Sequence, residues 1–237
     1  MQTRKTTIAL MSAALMMAAG GCQKAAPIDS QVAHTPIPTT AAVIDAGALI
    51  AAGEPFEVLT EESQSADVKR LHELVRTADE AYRSVRPQLP IETQKAIDAQ
   101  TSALRAAVGK QDRLAAALSS VEIYRALLEG QAPVPTATVR AGLLDYSGFR
   151  YQALANAPLA NWAAMQQSVN FAQDQWLRLS PEISSPDLRT SFKQSLIRMA
   201  NAIARKDAAA ARSAATHELN LVDELEKNVA GKKGARG

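Results

Sequence analysis

Hydrophobic positions recur along this chain with the step of a helix. From Ser65 onward, Val68, Leu71, Val75, Ala78, Tyr82 and Val85 lie three and four residues apart, one apolar stripe on a single helix face. Pro87 and Pro90 end that run, because proline lacks the amide proton a helix interior needs. Residues 91–108 carry Ile97, Leu104 and Val108; beyond Gly109-Lys110-Gln111-Asp112 the stripe restarts out of phase at Leu114, Leu118, Val121 and Leu128. The phase break predicts a turn at 109–112, since one helix of about 39 residues would span about 58 Å and outrun its neighbours. Gly130-Gln131-Ala132-Pro133-Val134-Pro135-Thr136 is the clearest internal break.

The second half repeats the pattern. A helix is predicted over 138–155 through Val139, Leu143, Tyr146 and Ala153. Pro158 suits the first position of the next, whose stripe is Trp162, Met165, Val169, Ala172, Trp176 and Leu179. Ser185-Pro186-Asp187 reads as N-cap, first-turn proline and first-turn acid, followed by Leu188, Phe192, Leu196, Met199 and Ile203. Arg205-Lys206-Asp207 interrupts, and a last helix runs to about residue 229. The expected fold is all-α: an antiparallel helical bundle of about seven helices after a disordered tether. The expected organisation is a signal peptide at 1–21, a lipidated cysteine and flexible tether at 22–56, the bundle at 57–230, and a basic disordered tail at 231–237. A hairpin at 91–129 and another at 186–229 look alike. Internal duplication and the easy chance alignment of alanine-rich helices both remain open.

Composition narrows the class. Alanine is the commonest residue of the 237, and only 4% are aromatic, which disfavours sandwiches and barrels. The chain has 26 basic and 24 acidic residues; without Arg4 and Lys5 of the leader it is balanced, which speaks against nucleic acid as a partner. Residues 1–7 are short and positive, and 8–19, IALMSAALMMAA, are apolar but too short to span a bilayer. Ala19-Gly20-Gly21-Cys22 closes the leader. Here the sequence resembles the lipobox of bacterial lipoproteins, in which small residues precede an invariant cysteine. The resemblance implies cleavage before Cys22, its lipidation and acylation of the new amino terminus. Gln23 rather than Asp implies sorting to the outer membrane, with the body in the periplasm. Cys22 is the sole cysteine, so its lipidation leaves no thiol for disulfides, thiolate metals or covalent haem. Prolines at 27, 36, 38 and 55 read as a tether, with Ala41 to Ala52 apolar enough to dock on the domain. His34, in this tether, reads as a solvated histidine or a terminal metal ligand.

Candidate chemistry is sparse. Glu218 falls on the apolar stripe of the last helix, with His217 beside it; Asp145 and Tyr146 lie between Gly142 and Gly148; His72 flanks the first seam. Glu218, His217, Tyr146, Asp145 and His72 are therefore the candidate cluster. As an interior site they would hold a metal ion or haem, since carboxylates and imidazoles on facing helices can do so. As structure, Glu218 would form a buried clamp with Arg150 or a tyrosine hydroxyl. Tyr146, Phe149 and Tyr151, together with Trp162 and Trp176, read as core packing. GxSxG, GxxxxGK[ST], HExxH and CxxCH are all lacking, so no enzyme class is indicated. The expectation is a non-catalytic lipoprotein, held to the membrane through lipid on Cys22, whose bundle binds or scaffolds an envelope protein.

Overall fold

A computed structural model describes residues 46–130 and 135–234. Eight helices run through these residues: α1 (Ala46–Glu62), α2 (Val68–Val85), α3 (Ile91–Gly109), α4 (Arg113–Glu129), α5 (Ala137–Ala155), α6 (Trp162–Leu179), α7 (Pro186–Arg205) and α8 (Ala208–Gly234). Among the described residues there is no strand, and no helix is long and apolar enough to cross a membrane. Cys22, His34 and most of the leader and tether lie outside the described residues.

Short polar side chains start the helices. Asp67, Asp112, Thr136, Asn161, Ser185 and Asp207 each accept a hydrogen bond from the backbone N–H three residues on, satisfying a donor that the first helical turn leaves open. Ser185 and Pro186 take the predicted cap and first-turn positions. Pro158 does not open α6: Asn161 caps it, because an Asn side chain can satisfy the first-turn donors and proline cannot.

The helix unexpected from the stripe pattern is α1. Residues 46–56, assigned above to the tether, belong to it, and Pro55 lies inside it. Leu49, Phe56 and Leu59 are completely buried, and Ala52 nearly so. That burial outweighs the backbone bond Pro55 forfeits. Two further bonds fasten α1 to α4. Ser120 Oγ donates to Phe56 O at 2.8 Å, and Arg113 donates to Ser63 O and Ala66 O just past the helix end.

The two halves of the fold match element by element. In each, two helices are followed by a 3-10 turn with proline near its start (Arg86–Gln88 and Ser180–Glu182), then by a helical hairpin. Buried positions keep the same register. Leu71, Val75, Ala78, Tyr82 and Val85 of α2 correspond to Met165, Val169, Ala172, Trp176 and Leu179 of α6. Leu49, Gly53, Phe56 and Leu59 of α1 correspond to Leu144, Gly148, Tyr151 and Leu154 of α5. The hairpin turns are the same turn. Gln111 (φ 56°) and Lys206 (φ 52°) adopt the left-handed conformation. The next residue, Asp112 or Asp207, donates its N–H five residues back and caps the following helix. The likeness of the 91–129 and 186–229 hairpins thus extends over the described body.

Packing follows the same division. One apolar cluster is built mainly on α1–α4, the other on α5–α8. Helix α5 serves both: Leu143, Tyr146 and Phe149 face the first, and Leu144, Tyr151 and Leu154 the second. It is buried almost all round, with α4, α6 and α8 against it.

Candidate functional site

The central position of α5 and the small residues along it determine what surrounds the predicted site. Gly148 lets α8 approach so closely that a Cβ there would overlap Glu218 Oε2 and lie 2.7 Å from Leu219 Cδ2. The Glu218 carboxyl therefore lies against the α5 backbone. It is fully buried, and neither oxygen has a hydrogen-bond partner among the described residues. Burial alone pushes its pKa well above the ordinary carboxylate range, so the side chain is held as a neutral acid.

Asp145, one turn before Gly148, is 8% exposed. Its pKa is raised strongly, first by burial and then by the charges of Glu57, Glu226, Glu218 and Asp223. Glu57 of α1 is pushed up to about 7 by burial, with smaller upward contributions from Glu226, Glu54 and Glu61, while the Tyr124 hydroxyl draws it down. Tyr124 is itself raised by burial and by Asp145 and Glu57. Its ring packs where a Cβ on Gly53 would approach to 2.8 Å. Asp145 and Glu218 thus belong to one electrostatic group with Glu57, Tyr124 and Glu226.

The other predicted members lie elsewhere. The Tyr146 hydroxyl donates to Glu122 Oε1 at 2.9 Å, and burial followed by Glu122 pushes its pKa to about 12. His72 of α2 lines a surface cavity of about 330 Å³ with Arg76, Asp79, Glu80, Arg83 and Arg105. His217 lines a different one, of about 310 Å³, with Arg198, Asn201 and Arg205. It immediately precedes Glu218 in sequence but points about 100° away around the helix, as adjacent helical residues must. Among the described residues, no three His, Cys, Asp or Glu side chains are grouped so that they could hold a metal ion. The five-residue metal or haem cluster is therefore not assembled.

Arg150 is a clamp, but not of Glu218. Its Nε donates to Glu122 at 3.2 Å, and its Nη1 to Ala164 O at 3.0 Å and Ser168 Oγ at 2.9 Å. With Tyr146 on the same Glu122 oxygen, this network ties α4, α5 and α6 together. Arg125 adds a cationic face over the Tyr146 and Phe171 rings, 5.4 and 4.9 Å from their centroids. Arg150 reaches Glu122 because Tyr146 and Arg150 share the α4-facing side of α5, whereas Glu218 meets α5 at Gly148.

Glu57, Tyr124, Glu122 and Glu226 were missed from sequence. Glu57 stood at the first position assigned to the bundle, ahead of the stripe that begins at Val68, and Glu226 fell among the acids that close the last helix. The signal available for Asp145 and Glu218 was the internal register. Asp145 stands where the first half has Ile50, and Glu218 where it has Ile123. The same fold accepts an apolar side chain at both places. Searches against protein-family models, curated proteins and solved structures find no match to this chain.

Proposed function

We propose that this chain is a lipid-anchored, non-catalytic lipoprotein of the bacterial cell envelope, facing the periplasm from the outer membrane. In this reading its antiparallel bundle docks an envelope protein. The lipobox-like Ala19-Gly20-Gly21-Cys22, with the chain's sole cysteine at the cleavage point, is the observation that carries it. The stretch between Cys22 and α1 gives the body reach from the bilayer surface. Several acyl chains on one cysteine would hold it there durably.

A surface suited to docking supports the reading. Between α6 and α7 lies a depression of about 470 Å³, lined by Trp176, Leu177, Leu196 and Ile197 with Gln173, Asp174 and Lys193 at its rim. Leu177 is 74% exposed there, an apolar side chain left in water beside other apolar ones. The test has two parts. Cys22→Ala should shift the protein from the membrane fraction to an unprocessed or soluble form. A photo-crosslinking residue at position 177 should capture a discrete envelope protein, and a charge at Ile197 should abolish that product. Unchanged fractionation of Cys22→Ala overturns the anchor, and failure to crosslink at 177 in intact cells overturns the docking face.

A further inference from the structure

The cavity of about 310 Å³ that holds His217 lies on the α7–α8 hairpin, and every polar side chain lining it can donate a hydrogen bond. From α7 come Arg198, Asn201 and Arg205, three and four residues apart on one helix face. From α8 come Ser213 and His217, with the small side chains of Ala210 and Ala214. The chain reverses at Lys206-Asp207, so these positions lie about level in pairs: Arg205 with Ala210, Asn201 with Ala214, Arg198 with His217. The two alanines leave open the space that longer side chains would fill. No acid lines the cavity. Asp207, between the two helices, is taken up in capping α8, where it accepts from the Ala210 N–H. Glu218, next to His217 in sequence, lies against Gly148 of α5 instead.

The donors of this cavity are also unused. Elsewhere in the described body most arginines have partners. Arg70, Arg86, Arg105, Arg125 and Arg150 pair with carboxylates, and Arg113, Arg189 and Arg212 donate to backbone carbonyls. Arg198, Arg205 and His217 make neither an ion pair nor a side-chain hydrogen bond with any described residue. Nor does the hairpin need them for its packing. The α3–α4 hairpin, which has the same turn and the same register, holds Ala103 and Ala106 where α7 has Arg198 and Asn201. It holds Leu118 and Glu122 where α8 has Ser213 and His217; Lys110 alone keeps the positive charge, at the place of Arg205. One half of the molecule thus gathers, around a cavity, a set of donors that the other half folds without.

We propose that the α7–α8 cavity is a binding site for a phosphate ester, its phosphoryl oxygens held by Arg198 and Arg205 with His217, Asn201 and Ser213 as further donors, and its organic part over Ala210 and Ala214. Guanidinium forks match phosphate oxygens in pairs and stay charged at every physiological pH. A carboxylate suits the set less well: two guanidiniums, an imidazole, an amide and a hydroxyl offer more donors than two oxygens accept. A metal ion does not suit it at all. Of the lining side chains only His217 is an ordinary metal ligand, and two guanidiniums beside it repel a cation. Arg198 and Arg205 stand two helical turns apart, about 10 Å along α7, a gap that two extended arginine side chains can close on one phosphate. The cavity has the volume of a small organic ligand rather than of a bare ion.

The test is calorimetric titration of the full chain in detergent, at constant ionic strength, with glycerol 3-phosphate and separately with mixed micelles carrying phosphatidylglycerol or phosphatidylcholine. Saturable one-site binding of a phosphate ester is expected. Binding of glycerol 3-phosphate identifies a soluble ester as the ligand; binding of phosphatidylglycerol micelles alone identifies a lipid headgroup. The double substitution Arg198→Gln with Arg205→Gln should weaken either at least tenfold, and His217→Ala should weaken it less. Arg178→Gln, which removes an exposed arginine of α6 outside the cavity, should leave binding unchanged. Arg198 and Arg205 are exposed and without partners, so unchanged thermal melts of the double variant will separate loss of binding from loss of fold. The proposal is overturned by an absence of saturable binding with all of these probes, by equal binding to the double variant, or by a loss in Arg178→Gln as large as in the double variant, which would make net charge the cause.

Discussion

Glu218 shows how a single side chain can be stable in place and still costly. Its carboxyl fits because Gly148 has no Cβ, yet nothing hydrogen-bonds it. A buried acid without partners remains neutral and still loses the hydrogen bonds it made to water. The isoleucine at the matching position of the first half, Ile123, is completely buried without that penalty. Glu218→Leu is therefore expected to raise stability by about 1–3 kcal/mol, read as a higher midpoint in urea. A lower midpoint would mean that the carboxyl has an unrecognised partner. Gly148→Ala should do the reverse, costing about 1–3 kcal/mol, because the added methyl overlaps Glu218 and Leu219. Combined with Glu218→Leu it should not simply add, since the two changes share one contact.

At the level of elements, caps and turns set the boundaries, and burial decides which marginal helix survives. The left-handed residues of the two hairpin turns are a lysine and a glutamine rather than glycine. A Cβ in that conformation is strained by about 1 kcal/mol, so Lys206→Gly and Gln111→Gly should each be neutral or stabilise by up to about 1 kcal/mol. Equivalent effects at both sites in thermal melts would bear on the sameness of the two turns. Helix α1 is held by its partners more than by its own sequence. A fragment that begins at residue 57 loses Leu49, Ala52 and Phe56 from the core and should unfold at a markedly lower temperature than one beginning at residue 46. Equal melting of the two would remove α1 from the bundle's cooperative unit.

Across the whole molecule the acids at the α1–α5–α8 junction give stability a pH dependence. Glu57, Asp145, Glu218 and Glu226 all have folded pKa values raised above those of free carboxylates. The folded state then binds more protons than the unfolded state above about pH 4.5. The favourable protonated form is fully present below that pH, and its contribution is lost as pH rises toward and through the folded value, about 7 for Glu57. Asp98 and Glu62 act oppositely, their pKa values lowered by Arg86 and Arg70, so their contribution is lost as pH falls further. Melting temperature is therefore expected to peak near pH 5 and to decline toward pH 8, measured by circular dichroism in low-salt buffers. Asp145→Asn with Glu218→Leu should flatten the alkaline limb. A stability that instead rises from pH 5 to pH 8 would contradict the buried-acid account.

Periodicity alone was enough to place the cores of α2–α8, the turns at 109–112 and 205–207, and the proline stop after α2. Each of these depends on local chemistry: apolar spacing, a capping oxygen, or a missing amide proton. Cys22 and its leader lie outside the described residues, and the proposed lipidation rests on the contiguous motif alone. Tertiary packing decided the rest. It made a helix of residues 46–62 despite Pro55, because a long-range apolar face was waiting on α4. It sent Arg150 to Glu122 rather than Glu218, and it separated His72 and His217 into different cavities. It brought Glu57, Asp145 and Glu226 together from three helices distant in sequence. Spacing along one chain determines which face of its own helix a side chain occupies; which faces meet depends on how all the helices pack, and that is where the charges of this protein acquire their neighbours.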